Sequence, residues 1–114
     1  MKNKTFGHTL KEIRRSKDVT QRQLATAVGV DFSYISKIEN DRMPPPAADT
    51  IVKICEVLGV PPDDLLAMTG KMPTQIKEAI SEKPAAQEFL REAQNMTLTD
   101  DEWSILTQQL KKLR

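Results

Sequence analysis

The sequence predicts an all-α protein, five helices followed by a smaller C-terminal set of three. Apolar residues recur at spacings of three and four along most of the chain, and no stretch alternates as a half-buried strand would. Helix boundaries are written in side-chain chemistry: Thr20 with Gln23, and Thr99 with Glu102, have capping-box spacing, while Gly29, Gly59 and Gly70 stand where helices stop. Aromatic residues, which strands favour, make up only 4% of the chain.

Each element has its own justification. Leu10 and Ile13, with the basic pair Arg14 and Arg15, set a first helix from about Phe6 to Lys17. It ends at Asp18, a residue type that tolerates the left-handed conformation. Thr20 caps a second helix carrying Leu24, Ala25 and Val28, and Asp31 caps a third with Ile35 and Ile38 facing inward. Met43-Pro-Pro-Pro46 has to be a rigid, non-helical connection. Ile51, Ile54, Cys55 and Leu58 then mark a fourth helix. The run PPDDLLAMTG starts a fifth with prolines and carboxylates where a helix N-terminus favours them. A boundary is expected at Gly70-Lys-Met-Pro73, dividing residues 1–70 from 71–114. Beyond it, Ile76, Ala79 and Ile80 share one helix, Phe89, Leu90 and Ala93 a second beginning near Pro84, and Trp103, Leu106, Leu110 and Leu113 a third.

Composition excludes several classes of function. No run of about 18 apolar residues could span a bilayer, and the segment MKNKTFGHTL lacks the apolar centre of a signal peptide, so no membrane association and a cytoplasmic location are expected. The lone Cys55 reads as a small buried hydrophobe, and with His8 isolated no metal site is expected. Asp63-Asp64 and Asp100-Asp101-Glu102 fall in first helical turns, where dipole and capping account for them. No nucleophile is paired with a base and no glycine loop could cradle phosphate; no catalytic residue and no cofactor are expected, and the chain is not read as an enzyme. The net charge of +1 conceals an asymmetry: residues 1–42 hold nine Lys/Arg against five Asp/Glu, residues 43–70 one against four, and residues 71–114 seven of each. The positive surplus surrounds the second and third helices.

Two short helices joined by a tight Gly-containing turn, apolar only on their shared inner side, form a helix-turn-helix unit whose second helix presents its N-terminal residues to the DNA major groove. With Ile35 and Ile38 inward, Ser33, Ser36, Lys37 and Asn40 spread over the outer face, and Tyr34 projects sideways or outward. Phe32 lies at the edge of the core stripe, placed either against a thymine methyl or over the core.

The segment from about His8 to Leu66 resembles the Cro/CI-type (XRE) helix-turn-helix transcriptional regulators. The residues that carry the likeness are Leu10-Lys-Glu-Ile-Arg14, Thr20-Gln21 with Leu24-Ala25, Gly29-Val30, Tyr34-Ile-Ser-Lys-Ile-Glu-Asn40, the proline loop, and Ile51 through Leu58-Gly59-Val60 to Leu65-Leu66. The resemblance implies a five-helix DNA-binding domain. Phe32, Ser33, Tyr34 and Lys37 would meet base edges, while Gln21, Arg22, Ser36, Asn40 and Arg42 would meet phosphate, Gln21 also bracing the recognition helix. Glu39 would pair with Arg14. Asp18 departs from the glycine usual at its position. Lys11, Arg15 and Lys17 read as solvated helix charges, with phosphate contact as the lesser alternative.

The implied function is a sequence-specific regulator of transcription, a repressor or autoregulator, bound as a homodimer to a palindromic double-stranded operator. The alternative is an antitoxin-like or adaptor module built on the same domain. Outward hydrogen-bonding chemistry at Ser33, Tyr34, Lys37, Asn40 and Arg42 favours the first. Residues 71–114 carry too few apolar side chains to fold unaided, so Phe89, Trp103, Leu106, Leu110 and Leu113 are expected at a helical dimer interface, the alternative being that Trp103 closes the monomer's core over the fifth helix. The stretches Pro84-Ala-Ala-Gln-Glu-Phe-Leu-Arg91 and Thr99-Asp-Asp-Glu-Trp103 also look similar to tails of XRE regulators switched by a partner protease, which implies a regulatory protein partner.

Overall fold

The structure is a computed structural model describing residues 4–114; the first three residues of the expected 1–70 domain lie outside it. Its elements are α1 Phe6–Ser16, α2 Gln21–Val28, α3 Phe32–Glu39, α4 Ala48–Leu58, α5 Asp63–Thr69, α6 Thr74–Ser81, α7 Pro84–Met96 and α8 Asp100–Lys111. Among the described residues there is no strand. Two compact units part between Gln75 and Ile76, inside α6.

Local chemistry accounts for the boundaries. Thr5 caps α1, accepting from the His8 backbone N–H. After α1, Asp18 takes the left-handed conformation at φ 56°, the conformational cost its sequence position foretold. Thr20 and Gln23 then exchange both capping-box bonds, at 3.0 and 2.9 Å. Gly29 closes α2 at φ 87°, where a β-carbon would be strained. Asp31 occupies the N-cap position of α3, but its side chain makes no capping bond; its backbone carbonyl accepts from Tyr34 at 3.1 Å instead. The proline loop is held from a distance: Lys71 Nζ donates to the Pro45 and Pro46 carbonyls at 3.1 and 2.9 Å. Thr74 donates through its N–H and its hydroxyl to Asp49. These bonds tie residues just past Gly70 to the first unit.

The core of that unit holds most of the residues that helical periodicity selects, but Ile13 is only half-buried at its edge and Phe6, not selected, is inside it. Leu10, Leu24, Ile35, Ile38, Ile51, Ile54 and Leu65 are essentially removed from water, with Phe6, Val28 and Cys55 completing the cluster. Burying an Ile or Leu is worth about 1.5–3 kcal/mol, so Ile35 and Ile38 anchor α3 against α1 and α2. Burial, with Asp63 adding its charge, pushes the Cys55 thiol pKa up. Gly7 lets α1 approach the end of α3: a β-carbon there would fall on the Ile38 carbonyl oxygen and lie 2.9 Å from that of Glu39. Thr5 Oγ1 also donates to Asp41 Oδ2 at 2.8 Å, fixing the exit of α3 beside the start of α1.

In the second unit, Pro84 opens α7, Thr97 closes it in the left-handed region, and the Thr99–Glu102 capping box opens α8. Gln87 Nε2 donates to the Ile80 and Ser81 carbonyls, tying the end of α6 to α7. Ala93 is its one buried apolar residue among those described. Two apolar grooves share Phe89 and Leu106; one continues along Ala93, Met96, Leu98 and Ile105, the other along Ile80, Leu90, Trp103 and Leu110. Half of Phe89 and 42% of Trp103 stay exposed, and Leu110 and Leu113 are more exposed still.

Candidate nucleic-acid interface

The third helix is locked in place by a buried polar cluster. Arg14 on α1 donates from Nε to Glu39 Oε2 at 2.6 Å and from Nη2 to Oε1 at 2.9 Å, a bidentate pair. Its Nη1 donates to the Val19 carbonyl at 2.8 Å. Glu39 is wholly buried at its side chain, and Gln21 Nε2 on α2 donates to it as well, at 2.9 Å. One carboxylate therefore joins three helices. The Arg14–Glu39 pair is the one the resemblance implied. The Gln21 bond reaches the recognition helix that the resemblance has Gln21 brace, and its point of attachment is Glu39, which sequence spacing does not disclose. An amide has two N–H donors and a carbonyl acceptor; with one donor on Glu39, half-buried Gln21 keeps the rest of its capacity for an outside ligand.

The outer face of α3 is as its period requires. Ser33 and Lys37 are exposed and, among the described residues, their side chains make no hydrogen bond or ion pair. Ser36 is half-buried and accepts a long 3.4 Å bond from Asn40 Nδ2. Arg42 stands exposed just past the helix, its N–H bonded to the Lys37 carbonyl. Tyr34 turns sideways: it is half-buried, with its ring packed on the core.

Phe32 is 39% exposed and outside the buried core, with the Arg22 guanidinium carbon 4.5 Å over its ring centroid. Stacking engages the face of the guanidinium and leaves its in-plane N–H groups available. This pair lines an open groove together with Gln21, Ser36 and Asn40, and with Lys11, Arg15 and Asp18 from α1 and the turn after it. Lys11 and Arg15, read from sequence first as solvated charges and second as phosphate contacts, share the groove with Gln21, Arg22, Ser36 and Asn40. The signal was their position, one residue after Leu10 and one after the buried Arg14.

No three His, Cys, Asp or Glu side chains gather as a metal site among the described residues. His8 pairs at 3.1 Å with Glu12, whose carboxyl the Lys4 ammonium holds below its usual range. No helix is long and apolar enough to cross a membrane.

Comparison with known proteins agrees with this geometry. The helix-turn-helix family model matches residues 10–65. The HTH-type transcriptional repressor RghR of Bacillus subtilis is 31% identical over 114 residues, covering 92% of this chain and 82% of RghR. The uncharacterized HTH-type transcriptional regulator RghRB of the same organism is 42% identical over 77 residues, 65% of this chain; that match spans only 55% of the relative's length. Among solved structures, SinR, described as the master regulator for biofilm formation and seen in complex with DNA, superposes with a TM-score of 0.51. It is 32% identical, over 54% of this chain and 98% of that one. The chain belongs to the XRE family of helix-turn-helix transcriptional regulators, DNA-binding proteins rather than enzymes.

Proposed function

We propose that this regulator is a repressor acting as a homodimer on a palindromic operator in the cytoplasm, with residues 1–70 holding DNA and residues 71–114 joining the two copies. The observation that carries the reading is the pairing of an unpartnered, hydrogen-bonding outer face on α3 with the basic groove beside it. In the major groove, Lys37 is suited to a guanine O6 or N7, Ser33 to a base edge of either polarity, and Phe32 and Tyr34 to apolar contact. Gln21, Arg22, Ser36, Asn40 and Arg42 take the flanking phosphates, which position the domain without reading sequence.

Exposure of Phe89, Trp103, Leu110 and Leu113, with Leu106 between the two grooves, supports a dimer interface in the second unit. A two-fold dimer would hold two recognition helices about one duplex turn apart, which is what a palindromic site requires. The name of RghR as a repressor supports the direction of regulation.

Selection of bound sequences from a random duplex pool tests the reading directly. A palindromic consensus is expected, bound with a steep salt dependence: about 6 to 10 phosphate contacts would weaken binding roughly 10³- to 10⁵-fold between 50 and 200 mM salt. Sedimentation should give a dimer that Trp103→Ala and Leu110→Ala shift toward monomer. Failure to enrich any sequence would refute operator binding, and a monomer at tens of micromolar would refute the dimer.

A further inference from the structure

The aromatic at the head of α3, Phe32, stands outside the buried core. This large apolar side chain is held open to water with a guanidinium over one face. Side chains at the N-terminal end of a recognition helix are the ones brought to base edges. In the major groove the apolar feature that distinguishes one base from the rest is the C5-methyl of thymine. Resting on the proposed operator binding, we infer that Phe32 is a specificity-determining residue that selects thymine through its methyl group, and that Arg22 is the positioning residue that holds the ring for it.

The geometry gives Arg22 two tasks that do not compete. Its guanidinium carbon lies 4.5 Å over the ring centroid, and a guanidinium that engages a ring through its face keeps its in-plane N–H groups for a phosphate oxygen. Binding the phosphate then fixes the guanidinium, and the guanidinium fixes the ring. Lysine could neutralise the phosphate but has no planar surface to lay on the ring.

The test replaces each thymine of the selected duplex, one at a time, with deoxyuridine, which removes the methyl and leaves the hydrogen-bonding edge unchanged. At one thymine position per half-site the intact protein should lose about fourfold in affinity, the value of burying one methyl group. Phe32→Ala should bind thymine and deoxyuridine duplexes equally at that position, whereas Phe32→Leu should keep part of the difference. Arg22→Lys should preserve the salt dependence while shrinking the thymine preference; Arg22→Ala should reduce both. Circular dichroism confirms folding of each variant, a low hurdle for two exposed side chains. The inference is overturned if no thymine responds to removal of its methyl, or if Phe32→Ala discriminates as well as the parent. If no duplex is enriched at all, operator binding itself falls and this inference falls with it.

Discussion

Removing the Glu39 carboxylate tests how the recognition helix is held. In Glu39→Ala the Arg14 guanidinium, only 8% exposed at its side chain, keeps its bond to the Val19 carbonyl but loses both bonds to carboxylate oxygens. Deleting one partner of a buried pair costs about 3–5 kcal/mol, because the other charge is stranded away from water. Against a total of roughly 0.05–0.15 kcal/mol per residue for a small domain, that is a large part of what the first unit has. Urea unfolding followed by circular dichroism should show a midpoint shifted far toward low denaturant at unchanged slope. Replacing both partners, Arg14→Met with Glu39→Met, should recover most of the stability, since two apolar groups strand no charge. DNA binding should not recover in the double variant, because Gln21 loses the carboxylate that orients it. A Glu39→Ala variant within about 1 kcal/mol of the parent, the range of a surface pair, would refute the reasoning.

Perturbations at four further residues separate roles that the fold combines. Gln21→Ala should weaken binding to all duplexes alike, whereas Lys37→Ala should cost about 1–3 kcal/mol at the selected site and relax preference at one base pair; equal losses on cognate and random DNA for Lys37→Ala would sink its base-reading role. Gly7→Ala should destabilise the first unit by more than about 1 kcal/mol despite the better helix propensity of alanine, because the new methyl meets backbone oxygens of α3; denaturant titration reads the sign. Cys55, buried with its thiol pKa raised, should resist alkylation at neutral pH except through unfolding. Folding is then linked to a protonated thiol, so its contribution is intact below the unfolded thiol's pKa of about 8.5 and declines as pH rises above it; a Cys55→Ala variant with the same alkaline stability profile would contradict that linkage.

The fold was legible wherever a signal is local. Thr20 with Gln23 and Thr99 with Glu102 are three residues apart, and each pair forms the box its spacing foretells. Leu10, Leu24, Ala25, Val28, Ile35, Ile38, Ile51, Ile54, Cys55 and Leu58 were selected by helical period and are buried, while Ile13, selected with them, is half-buried at the edge of the core. Asp31 marks the limit of that method. It stands at the cap position, but whether its carboxylate turns toward the helix depends on surroundings that the sequence does not state. Gly7 is a stronger case: it sits one residue into a helix with nothing nearby in sequence to explain it, and its reason is a carbonyl oxygen thirty-one positions away, on Ile38.

The same division runs through the site. Period alone turns Ser33 and Lys37 outward once Ile35 and Ile38 are inward, so the outer face of α3 can be read without coordinates. What each residue does there is set by the neighbouring helix. Arg22 and Phe32 are ten positions apart, separated by Gly29, and only the turn at that glycine brings a guanidinium from α2 onto a ring from α3. Gln21 reaches Glu39 across the same junction. The turn therefore does more than set the angle between two helices. It places one α2 side chain beneath the recognition helix, where it bonds the buried carboxylate, and the next one over its exposed face. Changing the length or left-handed geometry of the turn at Gly29 would displace both together, coupling the brace of the helix to the orientation of the ring that it presents.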